Sequence, residues 1–346
     1  MQTILTRNEI LEYSRQGVKV IKVAEMPLMT DLAREELSRL GMDIVVSAEV
    51  GQSASSPVQS SVGQASASTQ PKVSGVYGGG TVHTGSAKPY FKDVIRGNKP
   101  LTGTFIGTPH PVITEYVGHL GFDFVCIDSE HNAMTLETVQ RMLQSMSRTP
   151  TYGMVRVPTN TYECVSGALD IGADALLIPQ IRTADDIVRL KAYSQYPPIG
   201  RRGAGPSRLW EYGDTIGTLG AGGDKNYTTN IVVQLETVSA VEHLDEILAV
   251  SDFIDMFFIG PGDLSMDMGI FGQSTNPKLV EAIEMMREKT RRAGKKLGIF
   301  AGNFEAAANW YKKGFDMTII NSELGLLGTS ISRDMKGLKE SIGVTA

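Results

Sequence analysis

Short apolar runs bounded by turn residues recur along the chain at 102–106, 122–127, 152–155, 175–178, 231–235, 256–259, 297–300 and 317–320. Helical signals lie between most of them. Leu136, Val139, Leu143 and Met146 fall at helical spacing, and Asn276–Pro277 opens a helix that Gly294 closes. Strands that are apolar on both faces and alternate with helices predict parallel βα units. Eight such units in ~250 residues predict a closed (β/α)8 barrel. A doubly wound open sheet is the alternative, but it calls for a G-x-G-x-x-G turn after an early strand, and no such turn follows a strand here.

The first 50 residues carry a second, smaller pattern. Thr6 with Glu9 forms a capping box for a helix that Gly17 ends, and VKVIKV at 18–23 alternates like a half-buried strand. Thr30 caps a second helix ending near Gly41, and 42–46 reads as a second strand. Between this module and the barrel the composition changes. From Gly51 to Gly80, 24 of 30 residues are Gly, Ser, Ala, Gln, Thr or Pro, and Lys72 is the one charged residue. Such a stretch has little apolar surface to offset its ordering entropy. The expected organisation is therefore a small αβ module over 1–50, a flexible linker over 51–88 and a barrel over 89–346.

The 346 residues are 41% hydrophobic and 21% charged, with a net charge of −5. A chain without basic excess is not built to neutralise phosphates, so nucleic acid is not an expected partner. No apolar run approaches the ~20 residues that span a bilayer, and the N-terminus lacks a signal-peptide core. A membrane is therefore not an expected partner either. Cys126 and Cys164 are too few for a disulfide framework, which points to a reducing cytoplasm.

In a (β/α)8 barrel, chemistry sits at the C-terminal ends of the strands. There the sequence places Asp128, Glu130 and His131, then Arg156, then Gln234 and Glu236, then Gly260, Gly262 and Asp263. Each has an ordinary reading: Asp263 as a helix N-cap, His131 as a satisfied core histidine, Arg156 as a rim ion pair. Their convergence on successive strand ends favours one shared cup. Glu236 and Asp263, on different strands, suit a hard octahedral cation such as Mg2+ or Mn2+. The turn Gly260-Pro261-Gly262 at a helix start offers amide groups to a carboxylate. No lysine stands at the eight strand ends, so a Schiff-base mechanism is not expected.

The segments IDSEHNAMTLETV, MVRVP, ALDIGADALLIPQI, YPPIGRRGAGPSR, VVQLET and FIGPGDLSMDMG resemble, in order and spacing, the HpcH/HpaI aldolases of the phosphoenolpyruvate/pyruvate barrel superfamily. The resemblance runs from Gly103 to the C-terminus. It implies reversible cleavage of a 4-hydroxy-2-oxo acid to pyruvate and an aldehyde with a divalent metal: Mg2+, Mn2+ or Co2+. It implies Glu236 and Asp263 as metal ligands and Arg156 as the cation that stabilises the enolate. It further implies His131 as the acid/base histidine oriented by Asp170, with Gln234 and Asp128 holding water and neighbouring side chains. A homo-oligomer, often a hexamer or trimer of dimers, is implied as well. The text AGGDKNYTTN within 205–230 departs from the pattern and leaves the aldehyde open.

Residues 19–46 (KVIKV…PLMTDLAREELSRLGMDIV) resemble a short segment of bacterial microcompartment proteins, such as cobalamin adenosyltransferases of ethanolamine utilisation. That likeness implies a shell or cargo partner. Two other functions stay open at this stage. One is an acyl-CoA lyase of the citrate lyase beta or malyl-CoA type, with Arg201, Arg202 and Arg208 for the CoA phosphates. The other is a non-catalytic scaffold.

Overall fold

Eight parallel strands close on themselves in chain order: β1 (Leu101–Ile106), β2 (Phe124–Asp128), β3 (Tyr152–Arg156), β4 (Ala175–Ile178), β5 (Ile231–Leu235), β6 (Met256–Ile259), β7 (Lys296–Ala301) and β8 (Met317–Ser322), with β8 pairing β1. All eight coincide with the apolar runs expected from the sequence. In this computed structural model the described residues are 88–216 and 224–343, with 4–5, 13–14, 18–23, 28–29, 37 and 40–46 near the N-terminus. The expected linker, apart from Lys88, lies outside them. So do Thr6, Glu9, Gly17 and Thr30, on which the N-terminal helix boundaries rest.

Alternation along each strand separates two cores. Val125, Ile127, Val155, Leu176, Val233 and Phe257 face the helices. Phe124, Cys126, Met154, Leu177, Val232 and Phe258 fill the barrel. Each fully buried large apolar side chain contributes about 1.5–3 kcal/mol. A Cβ on Gly103 would meet the Phe124 ring at 2.4 Å, so a missing side chain on β1 makes room for the aromatic of β2. Cys126 sits in this interior, where burial pushes its thiol pKa up and keeps it inert.

The helix Phe91–Arg96, which the periodicity did not reveal, plugs the end where the strands begin. Its Phe91 ring stacks on Tyr152 at 4.5 Å, and Lys92 pairs with Asp255 at 3.0 Å, both side chains buried. The opposite end is thereby left as the open mouth. Local signals fix the surrounding helices as expected: Asn276 Oδ1 accepts from Lys278 N at 3.1 Å at the start of Pro277–Arg292, and Gly294 ends that helix at φ +70°.

The chain divides into two compact units, Met1–Pro71 and Lys72–Ala346. In the first, Val20–Val23 pairs in parallel with Asp43–Val46, and Ile4–Leu5 with Leu28–Met29. Ile21, Leu37 and Met42 form its small apolar cluster. The two-residue pairs were not legible in the sequence, being too short for an alternation to register. Among the described residues, no helix is long and apolar enough to cross a membrane.

Candidate active site

The inward alternation that fills the barrel runs on into its mouth. Phe124 and Cys126 lead to Asp128, Met154 to Arg156, Val232 to Gln234 and Glu236, and Met256 and Phe258 to Gly260. The same periodicity that buries apolar residues lower down brings charged ones together at the top. They border a cavity of about 350 Å³ whose lining includes Asp128, His131, Arg156, Gln234, Gly262 and Asp263.

Arg156 is held on two sides. Its Nε donates to Asp128 Oδ1 at 2.8 Å, and its Nη1 lies 3.3 Å from Glu130 Oε2. The guanidinium carbon stands 4.4 Å from the centre of the Phe105 ring. With 8% of its side chain exposed, Arg156 is a buried cation and not a rim ion pair. Asp128 in turn accepts from the amide of Glu130 at 3.2 Å and from Asn132 Nδ2 at 2.8 Å, which shapes the turn after β2. His131 leaves that turn with its side chain 57% exposed and its Nε2 3.8 Å from Glu130 Oε2. It is not a core histidine.

Glu236 is the least exposed of the charged residues here, at 1%. Its Oε1 accepts from the Gln180 amide at 2.8 Å and from Gln180 Nε2 at 3.3 Å, while Oε2 accepts from Gln234 Nε2. A Cβ on Gly260 would come within 2.8 Å of Glu236 Oε2, so only glycine leaves that oxygen room. Asp263 lies in the first turn of the helix Pro261–Asp267, whose N-cap is Gly260; the N-cap reading of Asp263 is therefore replaced by a side chain on the cavity wall. The Gly260 amide is committed to Leu235 O at 3.2 Å, which removes it as a carboxylate donor. Gly262 and Asp263 keep first-turn amides without intrahelical partners.

Negative charge is in excess here. Burial pushes the Glu236 carboxyl up to about 7, the Gln180 amide pulls it back, and the Asp263 and Glu130 charges add to the rise. Burial likewise raises Glu130, against the pull of Arg156 and His131. Four carboxylates thus face one guanidinium and one imidazole. A divalent cation beside Glu236 and Asp263 would relieve that repulsion, and the all-oxygen donor set suits a hard ion. Gln234 Oε1, buried without a hydrogen-bond partner, is a further oxygen in reach of the same neighbourhood. Among the described residues no group of three or more His, Cys, Asp or Glu forms a metal cluster, so two carboxylates would leave positions open to water and substrate. The residues fit the metal that the sequence implied.

Asp170 does not join the site. It closes the helix Tyr162–Asp170, at the far end of that βα unit from the mouth, and its Oδ1 accepts from Arg202 Nη2 at 2.6 Å. The pairing of Asp170 with His131 is not made within the chain, because the returning helix carries Asp170 away from the strand ends. The other arginines are also engaged: Arg202 is wholly buried against Tyr196, and Arg208 donates to the Ile171 and Gly172 carbonyls at 2.9 and 3.1 Å. Arg201 lies over the Tyr193 ring. A CoA-phosphate role for Arg202 and Arg208 is thereby weakened.

Four contributors escaped the sequence. Gln180 adopts φ +57°, a conformation unusual for any residue but glycine. Glu323 accepts from the Gly107 and Thr108 amides at 2.9 and 2.6 Å and ties β1 to β8. Phe105 lends its face to Arg156. Asn132 alone had a visible signal, its place beside the SEH cluster.

The model of the HpcH/HpaI aldolase/citrate lyase family matches residues 101–328. The chain is 34% identical over 265 residues to the 4-hydroxy-2-oxo-heptane-1,7-dioate aldolase of Salmonella typhimurium, covering 74% of this chain and 95% of that protein. The structure superposes on an HpcH/HpaI aldolase/citrate lyase family protein of Burkholderia cenocepacia with TM-score 0.68 at 28% identity, over 72% of this chain and 98% of that one. An HpcH/HpaI aldolase of Desulfitobacterium hafniense gives TM-score 0.66 at 29% identity, over 72% and 97%.

Proposed function

Because the chain belongs to the HpcH/HpaI aldolase/citrate lyase family, we propose that its barrel mouth cleaves a 4-hydroxy-2-oxo acid reversibly to pyruvate and an aldehyde. It is a carbon–carbon lyase of the divalent-metal-dependent kind. What supports this is one cavity lined by both Arg156 from β3 and Asp263, with the buried Glu236 hydrogen-bonded to Gln234 of the same lining. A bound Mg2+, Mn2+ or Co2+ ion would be held by Glu236 and Asp263 and would supply electrophilic stabilisation of developing negative charge.

Cleavage of the C3–C4 bond leaves an electron pair on the pyruvate fragment. Arg156, fixed by Asp128 and Glu130 and needing no reorganisation, donates its remaining N–H groups to that enolate oxygen. His131, exposed at the rim, takes the proton from the C4 hydroxyl, and Glu130 is the carboxylate beside its Nε2. The substrate carboxylate sits against the amides of Gly262 and Asp263. Phe105 and Phe300, with ring centroids 6.2 Å apart, give the cavity an apolar wall.

The relatives named for the heptane-1,7-dioate substrate make that acid, or a neighbour in chain length, the first to try. Purified protein with Mn2+, pyruvate and a panel of aldehydes is expected to form 4-hydroxy-2-oxo acids. Product with none of them overturns the reading.

The protein is also read as a homo-oligomer. The helix Glu323–Ser341 buries only Glu323 at its start, while Leu324, Leu327, Ile331, Met335 and Leu338 form a half-exposed apolar stripe. A trough of about 450 Å³, lined by Phe271, Leu279, Ile283, Ala306 and Trp310, lies open on the barrel. A second copy covers both. Residues 1–50 are read as a docking module for a microcompartment shell or cargo partner in the cytoplasm, 51–88 as its tether and 89–346 as the catalytic barrel. A protein beginning at Lys88 is then expected to keep full turnover.

A further inference from the structure

We infer that Gln180 is a positioning residue that presets Glu236 for the cation, acting through its side-chain amide. The inference rests on the metal reading of Glu236. Gln180 lies just beyond β4, on the loop next to the end of β5. Its main-chain N–H and its Nε2 both reach Glu236 Oε1, at 2.8 and 3.3 Å. Its Oε1 stands 3.5 Å from Arg182 Nη2. With a carboxylate on one side and a guanidinium on the other, the amide has one orientation in which both its ends are paired.

Two features argue that this is more than loop packing. Gln180 is exposed, so burial does not force its amide to find a partner. It also holds φ +57°, where a side chain beyond glycine is strained, and strained residues persist where the surroundings over-determine them. The surroundings here are a seam of bonds in chain order. Gln180 bonds Glu236, Thr237 Oγ1 donates to Ile181 O at 3.3 Å, and Ser239 Oγ donates to Arg182 O at 3.1 Å. The seam carries both Gln180 donors to Oε1, which fixes the plane of the carboxylate, while Oε2 accepts from Gln234 alone and keeps a lone pair for a cation. Hydrogen bonds of this sort fix ligand orientation, and losing one typically costs 10–100-fold in metal affinity.

The test uses the full chain and Mn2+ alone, titrated by calorimetry, with thermal midpoints measured in parallel. Gln180→Gly relieves the left-handed strain and keeps the main-chain donor but removes the amide. Gln180→Leu removes the amide and keeps the strain. Both are expected to bind Mn2+ about tenfold more weakly than the parent, with the glycine variant melting at or above the parent and the leucine variant below it. Affinity and stability thus part company in the glycine variant. If its Mn2+ affinity equals the parent's, Gln180 is only a loop residue and the inference is overturned. If the parent itself binds no Mn2+, the metal reading beneath it fails instead.

Discussion

Asp128 and Arg156 are register partners across β2 and β3, and the Arg156 Nε donates to Asp128 Oδ1 at 2.8 Å with 8% and 7% of the two side chains exposed. Breaking a buried pair of this kind by removing one partner costs about 3–5 kcal/mol, because the other charge is left uncompensated. The register of the barrel therefore aims the cation before any substrate arrives. Its geometry is set by two backbone strands.

Truncating Arg156 follows from that placement. Arg156→Ala is expected to lower kcat by about 10²–10³, the range for losing one preorganised donor to a developing oxyanion. Steady-state pyruvate release measures it. A change under threefold would return Arg156 to a structural role.

Glu236 and Asp263 stand at the mouth, where side chains serve function more than stability. Glu236→Ala and Asp263→Ala are each expected to abolish Mn2+ binding in calorimetry while circular dichroism stays that of the parent. Mn2+ binding at parental strength in either variant would remove that residue from the ligand set.

In the metal-free protein, burial holds Glu236 at about 7, above the ~4.3 of an unfolded glutamate. A carboxyl raised in the folded state binds its proton more tightly there than in the unfolded chain. Its contribution to stability is therefore greatest at low pH and is lost as pH rises from about 4 to 7. Thermal midpoints in chelator are expected to show this fall, and Glu236→Gln to flatten it. Mn2+ competes with the same proton, so its apparent affinity is expected to drop about tenfold per pH unit below ~7.

The apolar stripe of the last helix gives a test of assembly. Leu327→Asp with Ile331→Asp places two charges on a face that a second copy is read to cover. Light scattering is expected to show the parent as an oligomer and the variant as a smaller species. A monomeric parent would contradict the homo-oligomer.

What the sequence disclosed follows from how each feature is encoded. Asp128, Arg156, Gln234 and Glu236 were legible because period-two alternation links each of them to the apolar run beneath it. The helix Phe91–Arg96 was not, since six residues with a buried lysine show no helical stripe. Asp170 was placed beside His131 by resemblance alone, and the direction of its helix separates them. Gln180 had no signal at all. Its contact with Glu236 spans 56 positions in the chain and depends on a left-handed backbone that the residue type does not announce.

On this reading bond cleavage depends on a cation at Glu236 and Asp263 and not on a lysine Schiff base. It is tested most directly by following pyruvate release from a 4-hydroxy-2-oxo acid with Mn2+, with EDTA, and with borohydride added before mass analysis. Activity is expected to vanish in EDTA and return with Mn2+, and the borohydride-treated chain to keep its unmodified mass. Full turnover in EDTA together with a pyruvate-sized adduct on a lysine would contradict the metal-dependent mechanism.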